Sequence, residues 1–273
     1  MRGATGRNFA DALLNQAMRA EVPAIAVDGL AKTYRDVIAV DGIDFSVPRG
    51  AIVGLLGGNG AGKTTTIAMI MGLTLPTAGT AKVLGVDMAR ARHKVLHRIN
   101  FESPYVEMPK RLTVRQNLKV FGALYGVADL GERIDTLASD LDLKSLLDRP
   151  SGELSSGQKT RVALAKSLVN TPDVLLLDEP TASLDPDTAD WVRSHLERYR
   201  RERNAAILLA SHNMPEVERL CDDVLMMKAG KIVDRGGPAD LIARYGRETM
   251  EEVFLDVARD RGRNRATAEG GPA

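Results

Sequence analysis

Two stretches of the sequence carry groups suited to handling phosphate. The run Gly57-Gly58-Asn59-Gly60-Ala61-Gly62-Lys63-Thr64 combines glycines with a lysine and a hydroxyl. Its glycines let successive backbone N–H groups turn inward on an anion. Downstream, Val174-Leu175-Leu176-Leu177-Asp178-Glu179 is an apolar run ending in two carboxylates. In such a pair of motifs the lysine reaches β- and γ-phosphate oxygens, and the threonine hydroxyl and first carboxylate hold Mg²⁺. The second carboxylate, pointing differently, can polarise a water. Lys63, Thr64, Asp178 and Glu179 therefore predict binding and hydrolysis of Mg·ATP.

These residues need a strand before the glycine loop and a helix after it, and the pattern supplies both. Residues 51–56 read as a buried strand. Residues 65–72, with Thr65 beside the loop, read as a helix stopped by Gly72. The positive end of a helix starting near Gly62 adds to the anion site. Upstream, residues 25–27 and 43–47 read as strands, with Asp41-Gly42 as a turn in a β-rich region. Residues 103–155 hold few strand signals and read as a helical insertion. Thr113-Val114-Arg115-Gln116 forms a capping box that opens a helix through residue 124, with further helical pieces at 131–140 and 143–147. Helices at 157–169 and 188–202 alternate with strands at 174–177 and 206–210, which argues for a parallel sheet in an α/β core.

The run Leu154-Ser155-Ser156-Gly157-Gln158 opens the 157–169 helix and precedes the carboxylate-terminated strand. A helix N-terminus with free N–H groups and Ser155 as its cap is a second anion site. With this motif the chain resembles the nucleotide-binding subunit of ABC transporters, from about residue 26 to 257. The resemblance implies a P-loop NTPase core with a β-rich N-terminal subdomain and a helical insertion. It implies that Ser155, Gly157 and Gln158 contact the γ-phosphate of ATP held by an opposite subunit. Ser156 stands where the family usually has glycine. Tyr34 takes the place of an aromatic that stacks on adenine. Ser183-Leu184-Asp185 matches a loop that crosses the dimer interface, and His212, in Ser211-His212-Asn213, matches the switch histidine that helps hold the attacking water.

One position departs from the family pattern. Aligning Phe101-Glu102-Ser103-Pro104 with the family's frequent Phe-Gln-Ser-Pro puts Glu102 where a glutamine normally stands. Glutamate keeps an oxygen for Mg²⁺ or water but loses the amide donor. A carboxylate about 6 Å from a phosphate charge meets a repulsion of about 3 kcal/mol at an effective dielectric of 20. Glu102 is thus expected to sense the γ-phosphate and to alter the metal or pH dependence of hydrolysis.

The whole chain bounds these readings. Its 273 residues, 44% hydrophobic and 27% charged, are ordinary for a globular protein with a sizeable core. A net charge of +1 makes no case for nucleic acid or anionic lipid. One cysteine, Cys221, excludes an internal disulfide and reads as a small buried hydrophobe. No apolar run is long enough to cross a bilayer, and Asp11, Asn15 and Gln16 interrupt any secretory apolar segment. Residues 1–22 read as an extension, either a short amphipathic helix or a loosely docked segment. Residues 23–258 read as the ATPase domain and 259–273 as a charged, glycine-containing tail.

The resemblance implies a head-to-tail pair of copies and a separate transmembrane permease, on the cytoplasmic face of the cell membrane. Residues 112–118 and Glu252-Val253-Phe254-Leu255 look like the exporter branch. The alternative is a soluble ATPase of the same family serving an assembly such as iron–sulfur cluster biogenesis.

Overall fold

The computed structural model describes residues 22–103, 107–182 and 184–259. The expected N-terminal helix, Pro104, Ser183 and the tail from 260 lie outside the described residues. Alternating apolar residues make β1 (Ile25–Tyr34) and β2 (Val37–Val47) a hairpin whose turn is Arg35-Asp36, with Arg35 at φ +51°. Asp41-Gly42, expected to be a turn, lies inside β2. Leu30 and Lys32 of β1 face Ile43 and Val40, so β2 carries an extra residue there, and Gly42 at φ +61° absorbs the bulge.

β3 (Ile52–Gly57) follows, and the glycine loop then leads into α1 (Lys63–Ile70). β4 (Ala78–Val83) and β5 (Val86–Asp87) complete a four-stranded antiparallel sheet ordered β2-β1-β4-β5. A short α2 (Met88–Ala91) precedes β6 (Ile99–Glu102). The helical block follows as α3 (Val114–Leu124) and α4 (Leu130–Asp140), and α5 (Ser156–Leu168) returns the chain to β7 (Val174–Asp178). Then come α6 (Pro186–Arg203), β8 (Ala206–Ala210), α7 (Met214–Leu220), β9 (Asp223–Lys228), β10 (Lys231–Gly236), α8 (Pro238–Tyr245) and α9 (Met250–Ala258).

The second sheet runs β10-β9-β3-β8-β7-β6, parallel from β9 to β6, with β10 antiparallel at one edge. Every residue of β3, β7 and β8 is buried, as a parallel sheet covered on both faces requires. Because side chains alternate across a strand, this sheet faces two cores. On one face Val53 and Leu55 pack with Ile67, Met69 and Ile70 of α1 and with the antiparallel sheet. On the other, Ile52, Leu56, Leu175 and Leu177 pack with Val162, Leu164 and Ala165 of α5 and with the helical block. The glycine-loop helix and the Ser155 helix therefore lie on opposite faces of one sheet. Cys221 is buried, as expected, and burial pushes its thiol pKa up.

Candidate active site

β3 delivers its last residue, Gly57, to the C-terminal edge of the sheet, and the chain then curls. Gly60 sits at φ +76° and Gly62 at φ +107°, a backbone that side-chain-bearing residues rarely adopt. A Cβ on Gly62 would stand 2.5 Å from Ala39 O, and one on Gly57 would stand 2.6 Å from Met227 O. Gly62 is also the N-cap of α1, so the first-turn N–H groups open into the loop. Gly58, Asn59, Gly60 and Thr64 are exposed, whereas Ala61 is buried and Thr65 half-buried. Lys63 Nζ donates to Gly57 O at 2.5 Å and to Gly58 O at 3.3 Å, which folds its charge back over the loop.

The two carboxylates at the end of β7 face different surroundings. Asp178 is buried, and burial, together with the neighbouring Glu179, raises its pKa, while Lys63 opposes the rise. The lysine of the loop and the aspartate of β7 thus share one electrostatic site. Glu179 turns out of the strand at φ +57°, with its N–H held by Ala210 O at 2.8 Å. Its carboxylate meets the segment after β8. His212 Nδ1 lies 2.6 Å from Glu179 Oε1, and the His212 N–H donates to Glu179 Oε2 at 3.3 Å. The His212 side chain is 70% exposed and that of Glu179 15%, so the pair stands at a solvent-facing rim.

The donor set suits a hard divalent cation. The Thr64 hydroxyl and the Asp178 carboxylate are oxygen ligands of the kind Mg²⁺ takes beside phosphate. Asp178 is a buried acid next to a second acid, a charge that a cation would relieve.

Ser155 caps α5 by accepting from Gln158 N–H at 3.3 Å, and Gln158 Oε1 accepts from Ser155 N–H at 3.0 Å. This reciprocal box occupies the Gln158 side chain and leaves Ser155 and Ser156 exposed. Gly157 lies close to α6, where an added Cβ would meet Thr188 Oγ1 at 3.1 Å. Asp185 caps α6 by accepting from Thr188 N–H at 3.0 Å, and that bond holds its carboxyl below the usual range. Tyr34 ends β1 with its ring exposed, and Lys32 Nζ lies 4.9 Å from the ring centroid while donating to Leu75 O at 2.8 Å. The hairpin borders the loop through Ala39 and Val40, which pack on Gly62.

Glu102, expected to act at phosphate or Mg²⁺, ends β6 and meets a lysine of α5. In register it pairs with Leu177, so alternation sends it to the α5 face, opposite to Asp178. It is buried, and its carboxylate lies 2.6 Å from Lys166 Nζ on α5. Burial raises its pKa and Lys166 opposes the rise. Sequence reasoning missed Lys166. Its signal was a charge at helical spacing from the apolar Val162 and Val169, four residues before and three after it.

Residues 40–182 match the family model described as ABC transporter. The Nod factor export ATP-binding protein I of Ralstonia nicotianae is 39% identical over 236 residues, 86% of this chain and 73% of that one. The probable multidrug ABC transporter ATP-binding protein YbhF of Escherichia coli is 37% identical over 85% of this chain, which spans 41% of that relative. A solved ATP-binding subunit of an ABC transporter superposes with a TM-score of 0.79 at 25% identity, covering 86% of this chain and 99% of that chain. A solved dimeric ATP-binding cassette bound to ADP and Pi shares the fold with a TM-score of 0.71 at 21% identity, covering 78% and 98% of the two chains. The glycine loop, the paired acids of β7 and the capped helix at Ser155 therefore sit in a chain that belongs to the ABC transporter ATP-binding family.

Proposed function

We propose that this chain is the ATP-hydrolysing half-site of an exporter, completed by a second copy and coupled to a separate membrane permease. One observation carries the chemistry. Lys63 of the glycine loop and Asp178 share an electrostatic site, and the adjacent Glu179 is held by His212. The loop's N–H groups and Lys63 hold the phosphates, and Tyr34 offers an open ring face for the base. Thr64 and Asp178 would hold Mg²⁺, which would supply neutralisation of charge on the phosphate oxygens. Glu179 orients a water and draws its proton, a contribution of about 10²–10⁴ in rate. His212 fixes the Glu179 carboxylate and stands exposed beside it.

The position of α5 supports the second copy. Its N-terminus is built to take an anion, yet it rises from the opposite sheet face to the glycine loop. Asp185, at the N-terminus of α6, lies on the segment assigned to that interface. A solved cassette of this fold is a dimer. No helix among the described residues is long and apolar enough to cross a membrane, and a permease subunit would supply the spans. Val120 and Leu124, one turn apart on α3, are exposed large apolar side chains that such a partner would cover. The relatives described as Nod factor export and multidrug proteins favour export and a cytoplasmic, membrane-peripheral location.

Affinity purification of the tagged chain in mild detergent tests this reading. A polytopic membrane protein is expected to co-purify. Recovery of a soluble scaffold partner instead contradicts it and favours the assembly alternative.

A further inference from the structure

The ion pair between Glu102 and Lys166 has no part in the chemistry above. Its atoms are 2.6 Å apart, and the side chains are 10% and 5% exposed. Glu102 ends β6, where the chain leaves the parallel sheet for the helical block. Lys166 lies in the last turn of α5, with its Nζ also 5.5 Å from the ring centroid of Phe121 on α3. From the same strand, Asn100 Nδ2 donates to Lys166 O at 3.3 Å. One lysine thus joins the edge strand β6 to two helices. A cavity of about 70 Å³ is lined by Glu102 and Glu179, with Thr160 and Leu177 among its other walls, so the acid of the pair borders the same space as Glu179.

Stability alone does not require charges here. Burying two ions carries a large desolvation cost before their attraction is counted, and an apolar pair of similar volume is often as stable or more so. A charge pair adds one direction and one length, where apolar contacts slide.

We propose that Glu102 and Lys166 are a positioning pair. They set α5, with the Ser155–Gln158 N-terminus it carries, against the sheet that bears Lys63 and Asp178. That orientation lets the N-terminus close on a second copy's nucleotide. Neither residue touches phosphate. The inference rests on the dimer proposed above.

The test uses full-length chains carrying Glu179→Gln, so that bound ATP persists. Dimerisation with ATP is measured by sedimentation, ATP affinity by titration and folding by thermal melting. The parent chain is expected to dimerise. Added Glu102→Gln, and the apolar double change Glu102→Met with Lys166→Met, should keep monomer ATP affinity within about twofold while weakening the dimer at least about tenfold. The double variant leaves no lone buried charge, so it should melt close to the parent. Lys166→Arg, which keeps the charge, should restore dimerisation to within about threefold of the parent. Parent-like dimerisation by the apolar double variant overturns the inference and leaves the dimer standing. Loss of ATP affinity in step with dimerisation also overturns it, because the pair would then act on the nucleotide site of its own chain. A parent that stays monomeric contradicts the proposed dimer and the inference with it.

Discussion

Asp178 is the residue whose environment and task oppose each other most. It is buried beside Glu179, which raises its pKa, and only Lys63 favours its charge. A carboxyl whose folded pKa is raised destabilises the fold once ionised. The cost is absent below the unfolded pKa of about 3.9 and is complete above the folded value. Asp178→Asn should therefore raise the melting temperature of nucleotide-free protein at pH 7–8, and the gain should vanish as pH falls towards 4. Melting curves across that range check it, and a gain independent of pH contradicts it. The same variant should lose Mg²⁺-dependent hydrolysis. Glu102 is likewise a buried acid with a raised pKa opposed by a lysine, but it has that lysine in direct contact, 2.6 Å away. The residue types at 178 and 179 were legible in the sequence because they end an apolar run. The partner of Glu102 was not, because it comes from an element distant in sequence.

At the scale of elements, features with local chemistry could be read in advance and features decided by packing could not. The capping box at Thr113 opens α3 where expected, and the expected cap at Ser155 opens α5 one residue before its expected start, since a cap is a contact within four residues. β8 has its expected bounds within a run of six consecutive apolar residues, Ala205 to Ala210, bounded by Asn204 and Ser211. β4, by contrast, reads Ala-Gly-Thr-Ala-Lys-Val, with little β-branched character, and forms because β1 and β5 pair with it. β9 and β10 meet at Ala229-Gly230, both with positive φ, a hairpin turn without the usual asparagine or aspartate signal. Asp41-Gly42 has turn chemistry and became a bulge, because β2 continues on either side of it. The glycine loop depends most on exact backbone. Gly62→Ala would push a Cβ to 2.5 Å from the Ala39 carbonyl at a φ of +107°. The backbone strain should cost about 1–3 kcal/mol of stability. Displacing the loop should weaken ATP binding more than about tenfold. Thermal melting and nucleotide titration measure the two, and unchanged ATP affinity contradicts the account of the loop.

At the scale of the molecule, one parallel sheet separates two anion-binding helix ends. α1 and its loop face the core shared with the antiparallel sheet, and α5 faces the core shared with the helical block. On the proposed reading, one face serves the chain's own nucleotide and the other a neighbour's, and two copies in head-to-tail symmetry would hold two shared sites. Complementation between two inactive chains tests this most directly. Lys63→Ala removes the loop's charge. Ser155→Asp keeps the α5 cap, because aspartate caps helices well, and sets a negative charge against incoming phosphate. Each variant alone should hydrolyse ATP at background rate. In an equal mixture half the dimers pair unlike chains, and each of these holds one intact site of two, so roughly a quarter of the parent rate should return. No recovery in the mixture, or full activity from Ser155→Asp by itself, would contradict the claim that the site is shared.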